Sequence, residues 1–231
     1  MVPLDEALLN HAIDHWLTAN AGLILLGPED DRELLRHLQQ LHQLVAADGL
    51  PIRFSLHAVR QLEELCEALS DDQRAILFGP IQSMLWHTGQ SAQHDEWLGI
   101  SSPAQPETAR ALTAPINLAE DDEAALDRAS YAWFMRDCVR AFTQKYPDYG
   151  HAEHQPLLRQ HLSMFFEESK RFDIPFERDV RHYMDLRLGY PQSHFSNDEF
   201  VRTTLLQLHV APIQRLLSIE AHLRQRSQTA S

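Results

Sequence analysis

Lysine is almost absent from this chain: Lys145 and Lys170 stand alone beside 18 arginines, and 20 basic residues face 33 acidic ones for a formal charge of −13. A surface so short of positive charge repels phosphate backbones, which excludes nucleic-acid binding through a broad basic face. Long apolar runs are also missing. The longest covers residues 21–26, whereas about 20 residues are needed to cross a bilayer as a helix, so no membrane span is expected. Cysteine is limited to Cys66 and Cys138, with no Cys-x-x-Cys pair. That excludes a disulfide framework or a zinc knuckle and leaves both thiols as buried small hydrophobes. The eight glycines never cluster into a phosphate-cradling loop, and no Gly-x-Ser-x-Gly elbow occurs. The opening Met-Val-Pro-Leu-Asp-Glu has neither a basic leader nor an apolar segment, so a cytoplasmic location is expected.

The chain has 231 residues, enough for one large domain or two small ones at roughly 150 residues each. An α+β class is expected: a small mixed sheet with packed helices in the N-terminal half and an all-α bundle in the C-terminal half. The predicted division is a mixed domain over 1–100, a linker over 101–117 holding Pro103, Pro106 and Pro115, a helical domain over 118–226 and a polar tail over 227–231. In the first half, helical spacing over 4–19 ends at Asn20-Ala21-Gly22, and residues 23–26 read as a buried strand. Pro28 and the acids Glu29, Asp30 and Asp31 open a helix whose stripe runs from Leu34 to Val45 and stops at Asp48-Gly49. Residues 51–56 form a second strand and 59–69 a helix. Ser70-Asp71-Asp72-Gln73 is a capping box for a short helix closed by Gly79-Pro80. Residues 81–87, as strand or helix, and a strand over 96–100 complete this half. In the second half the pattern predicts helices over 121–146, 156–172 and 175–188, with Pro175 in the first turn of the last of these. A further helix opens at the capping box Ser196-Asn197-Asp198-Glu199, and Pro212 kinks or restarts it.

Among 14 histidines, His11 and His15 at i, i+4 and the cluster His151, Glu153, His154 and His161 are the metal-ligand candidates. Neither is specific: the first pair lacks the glutamate next to the first histidine that a His-Glu-x-x-His hydrolase needs, Asp14 falls in a different place, and no metal or cofactor is expected. The acidic run Glu120-Asp121-Asp122-Glu123 lacks the order of a calcium loop and reads as a solvated helix start. Aromatics and arginines, the usual anchors of protein interfaces, occur at Arg53 and Phe54, at Phe78 and Pro80, and at Trp133 and Phe134 beside Phe165 and Phe166. These six residues, Arg53, Phe54, Phe78, Pro80, Trp133 and Phe134, are the candidate partner-binding set, with core packing as the competing role. The surplus of arginine over lysine adds to a binding role, because arginine tolerates interface burial better.

The ordered series Trp16-Leu17, Gly22-Leu23-Ile24-Leu25, Glu33-Leu34-Leu35-Arg36-His37-Leu38, Asp48-Gly49, Ile52-Arg53-Phe54, Leu77-Phe78-Gly79-Pro80 and Trp97-Leu98 resembles the adaptor chaperones of bacterial type VI secretion, the Tap or Tec proteins, over roughly residues 10–100. Two departures accompany the match. Ser55-Leu56-His57 stands where the family carries a tyrosine-aspartate-proline signature, and the family domain commonly begins further upstream, which implies an N-terminally shortened or divergent member. The region around Tyr183, Met184 and Leu186 resembles the helical extension of many members. The resemblance implies a non-enzymatic cytoplasmic protein whose partners are a cognate toxic effector and the trimeric spike (VgrG-type) protein that receives it. A general interaction module outside secretion and a histidine-based metal hydrolase are the alternatives. Up to Ile116 there are 16 acids against 6 bases, and from Asn117 onward 17 against 14, so the acidity belongs mainly to the mixed half.

Overall fold

The computed structural model describes residues 5–17, 23–27, 31–54, 59–87, 97–104 and 112–229. The chain divides into two compact units, Met1–Tyr131 and Ala132–Ser231. The first is mixed α/β and the second is helical, as the sequence pattern predicts. The boundary falls inside a long helix rather than in the proline-rich stretch.

The first unit opens with α1 (Glu6–Ala12), whose first turn is capped by Asp5 accepting from Leu8 N–H at 2.7 Å, and a π-helical turn at Ile13–Leu17 follows. Then come β1 (Leu23–Leu26), α2 (Asp31–Gln40), β2 (Gln43–Val45), β3 (Pro51–Arg53), α3 (Val59–Ala68), α4 (Asp71–Phe78), β4 (Ser83–His87), β5 (Trp97–Ser101) and β6 (Ile116–Asn117). Two three-stranded sheets result, ordered β1-β4-β5 and β3-β2-β6. The first is antiparallel throughout, while β2 pairs antiparallel with β3 and parallel with β6.

Two elements differ from the sequence pattern. The leucine stripe expected to continue a helix to Val45 leaves it at Gln40, and Leu44 enters a strand opposite Ile52. Asp48-Gly49 is thus a hairpin turn and not a helix stop: Gly49 has φ +85°, and Leu50 N–H donates to Asp48 Oδ1 at 3.0 Å. Within the expected linker, Ile116 is buried and pairs with β2, and Leu118, just past it, is buried in the same core. The capping box of α4 forms as read, with Gln73 N–H on Ser70 Oγ and Gln73 Oε1 accepting from Ser70 N–H. Residues 18–22, 28–30, 55–58, 88–96 and 105–111, with 1–4 and 230–231, hold the expected Asn20-Ala21-Gly22 stop, the Pro28-Glu29-Asp30 start, Ser55-Leu56-His57, Glu96 and Pro106; these lie outside the described residues.

One core serves both sheets of this unit. Leu34, Leu41, Leu44, Phe54, Leu62, Leu65, Leu77, Phe78, Met84, Trp86 and Ile116 are buried together. Burying a side chain of this size contributes about 1.5–3 kcal/mol against leaving it in water.

α5 (Glu120–Lys145) carries four acids in its first turn, where the helix dipole favours them. They also tie the first unit together. Asp122 Oδ2 accepts from Ala119 N–H at 2.7 Å and from Gln73 Nε2 at 2.5 Å, and Glu123 Oε1 accepts from Ala47 N–H at 2.8 Å.

The second unit comprises the rest of α5, α6 (Gln155–Arg171), α7 (Glu177–Gly189), α8 (Gln192–Ser196), α9 (Glu199–Leu205) and α10 (Pro212–Thr229). Its core gathers Phe134, Cys138 and Phe142 from α5 with Leu158, Leu162 and Phe165 of α6, Val180, Tyr183 and Met184 of α7, and Leu216, Ile219 and Leu223 of α10. Pro212 restarts the chain as α10, within the outcomes expected for it. The N-cap of α9 is Asp198 rather than Ser196, which ends α8. Asp198 wins because its carboxylate serves three donors at once: Val201 N–H at 3.1 Å, His222 Nε2 at 2.8 Å and Arg226 Nη1. No helix among the described residues is long and apolar enough to cross a membrane.

Candidate functional site

The six residues expected at a partner surface are placed very differently. Phe54, Phe78 and Pro80 are buried in the first unit and Phe134 in the second. Side chains that form the core present nothing to a partner, so the packing role holds for these four. Trp133 is half-buried on α5, and Arg53 is exposed on β3. Arg53 shares its exposed hairpin with Leu50 and Ile52. Arginine enrichment also serves the fold. Arg187 is buried in the second unit, with its guanidinium 4.4 Å from the Phe165 ring and 4.9 Å from Phe195, donating to Glu168, to Tyr183 Oη at 2.9 Å and to Gln192 Oε1 at 2.6 Å. A planar guanidinium lies flat against rings and presents five donors in a fixed fork, which suits it to several acceptors at once.

The histidine candidates separate in the same way. His11 and His15 stand edge to face on α1 and its π-turn, with ring centroids 4.6 Å apart, and His151 and His154 are 6.0 Å apart. His161 stacks on Phe165, and His154 Nδ1 lies 2.5 Å from the Asp148 carbonyl. No group of three or more metal-ligating side chains comes together among the described residues. Both cysteines are buried, and burial pushes the Cys66 thiol up to about 11, which keeps it protonated and unreactive at neutral pH.

Part of the exposed apolar surface of the first unit lies on the sheet β1-β4-β5. Directly opposed residues share a face, so Leu25, Met84 and Ile100 point one way, as do Leu23, Trp86 and Leu98. This is the core face, where Met84 and Trp86 are buried and Trp86 Nε1 donates to Glu63 Oε1 of α3 at 2.8 Å. The other face carries Ile24, Leu26, Leu85, Trp97 and Gly99. On it Leu26 is 51% and Trp97 39% exposed, and Trp97 meets the His87 ring edge to face at 5.2 Å. β5 is exposed at four of its five positions and contains no charged residue. Its sequence, Trp97-Leu98-Gly99-Ile100-Ser101, was legible as a strand but not as a surface, because an uncharged run reads as core. The available signal was its weak alternation, with Gly99 in the middle.

The second unit has its own exposed apolar residues. Arg215, 1% exposed, donates through Nη1 to the carbonyls of Phe172 at 2.8 Å and Leu205 at 2.5 Å, and through Nη2 to that of Asp173 at 3.0 Å. It therefore fastens the turn after α6 to the end of α9. The adjoining Phe176, Leu206 and Leu208 are each more than half exposed. The turn after α6 closes with Ile174 N–H on Ser169 O at 3.1 Å and Asp173 N–H on Lys170 O at 3.2 Å, with Asp173 at φ +50° in the position glycine usually takes.

Charge divides at the unit boundary more sharply than at Ile116. The first unit holds 21 acidic and 7 basic residues, a net of −14, and the second holds 12 and 13, a net of +1. No family model matches the chain, and neither a curated protein nor a solved structure matches it.

Proposed function

We propose that this protein is a non-catalytic cytoplasmic adaptor that binds a cognate type VI secretion effector and helps load it onto the spike protein. The observation that carries this reading is the division of surface between the units: a −14 unit with an uncharged exposed strand and a near-neutral helical unit with a separate apolar group at Phe176, Leu206 and Leu208. A bridging protein needs two surfaces of different character, so that neither partner displaces the other. Exposed apolar residues supply contact area, and the acidic unit keeps a loaded complex soluble and steers basic client regions toward it. The ordered motifs that resemble the adaptor family support the same reading, because they fall in order on elements of the first unit: β1, α2, the β2-β3 hairpin, α4 and β5.

The test is co-expression of the tagged full chain with the reading frames adjacent to its gene, followed by affinity purification. Recovery of an effector together with a spike protein is the expected result. A chain purified with neither, and with no such gene beside its own, contradicts the reading.

A further inference from the structure

The edge of β5 is built to accept another strand. Ser102 N–H donates to Gln82 O at 2.8 Å, and the register pairs Met84 with Ile100 and Trp86 with Leu98. Backbone groups alternate sides along an antiparallel strand, so Leu98 and Ile100 spend theirs on β4, while the N–H and C=O of Trp97, Gly99 and Ser101 face away from it. Among the described residues no strand pairs with that outer edge. Proteins blunt open edges with proline, charge or bulges. The exposed edge strand of the other sheet follows that rule, with Pro51 and Arg53 on β3. β5 has neither, and Gly99 keeps its centre clear of any side chain. The opposite edge strand, β1, exposes only Leu26 of its four residues, and β6, the other edge of the second sheet, has two residues with Ile116 buried; among the described residues β5 is thus the longest exposed edge strand with neither proline nor charge.

Charge decides what fits there. A second copy pairing through β5 would bring two units of −14 together, and Asp95 and Glu96 immediately precede the strand in sequence. Like charges at close range oppose that pairing, whereas basic flanks favour it. We propose that the outer edge of β5 binds an extended segment of the client as a fourth strand, the segment being apolar at alternate positions and flanked by lysine or arginine. The main chain of Trp97, Gly99 and Ser101 supplies the hydrogen bonds, and the Trp97 and Leu98 side chains read the two faces of the added strand. The assignment of the segment to a client rests on the adaptor reading; the edge itself does not.

The probe is a synthetic peptide of alternating valine and threonine with two lysines at each end, added to the full chain, with a glutamate-ended version as its counterpart. Hydrogen exchange resolved by residue is expected to slow at least ~10-fold at the Trp97, Gly99 and Ser101 amides, with little change at Leu98 and Ile100, whose amides are already bonded. The lysine-ended peptide is expected to bind at least ~10-fold more tightly than the glutamate-ended one at low salt. Gly99→Pro removes one outward N–H without touching a bond to β4, and should abolish binding. Protection centred on β1 or β3, no protection at all, equal affinity for the two peptides, or concentration-dependent dimerisation that Gly99→Pro abolishes would each overturn the proposal. The exchange measurement on the unaltered chain stands even where the proline variant misfolds. A Gly99→Pro chain that still captures a co-expressed effector removes β5 as the client site and leaves the adaptor reading standing. A chain that takes the peptide at β5 but captures no effector defeats the adaptor reading instead.

Discussion

The backbone N–H of Leu112 donates to Nδ1 of His37 at 3.1 Å, across 75 positions of sequence. Because Nδ1 accepts, the ring proton sits on Nε2, which donates to the Leu77 carbonyl at 2.9 Å. The neutral ring is thus satisfied on both sides. A protonated ring would turn a second N–H against that of Leu112.

Burial pushes the His37 pKa below its ordinary 6.5, against the opposing pull of the Leu77 carbonyl and Glu33. Below pH 6.5 the unfolded chain takes up a proton at this position that the folded chain refuses, so stability is full above about pH 6.5 and declines as pH falls further, by at most about 1.4 kcal/mol per pH unit. Urea unfolding across this range should show that decline, and His37→Gln should flatten it. An unchanged slope in the variant would remove His37 as its source.

Asp198 acts in the same direction but in a more acidic range. Burial works against its charge, but the hydrogen bonds from His222, Val201 N–H and Arg226 prevail and hold its pKa at about 2. The stability it contributes is present above the ordinary carboxylate pKa, near 4, and is lost as pH falls through about 2. Asp198→Asn should cost roughly 2 kcal/mol at neutral pH and make acid unfolding of the helical unit shallower. Parallel acid titrations followed by circular dichroism check both.

Arg215→Leu should cost about 3 kcal/mol, because it leaves the carbonyls of Phe172, Asp173 and Leu205 without their shared donor in a buried setting. Arg215→Lys, with one point charge for three carbonyls, should recover only part of the loss. Full recovery by lysine would contradict the bonding role.

Gly79→Ala is expected to destabilise the first unit by about 2 kcal/mol in urea unfolding. Gly79 adopts φ +50°, ψ −120°, a conformation open to glycine, between the buried Phe78 and Pro80. A cost below ~0.5 kcal/mol would mean that the turn relaxes freely.

Where local chemistry decides, the sequence could be read: the Ser70 to Gln73 box, the acidic start of α5, the restart at Pro212 and the strand at Leu23–Leu26 all form. Misreadings came where distant partners decide. Leu41, Leu44 and Val45 continue the spacing of Leu34 and Leu38, and only pairing with Ile52 and Ile116 pulls Leu44 into a strand. Ser196 reads as the cap of the next helix, and His222 and Arg226, more than 20 residues onward, hold Asp198 in that place instead. The candidate site was least legible. Phe54, Phe78 and Phe134 carry the composition of an interface and the burial of a core, while the uncharged β5 carries the composition of a core and the exposure of an interface.

The central claim is bridging. Its most direct measurement immobilises a spike protein that co-purifies with the chain and asks whether it retains a co-purifying effector with and without the full chain. Retention of the effector only when the chain is present is the predicted result. Retention without the chain, or no retention in its presence, would contradict the account.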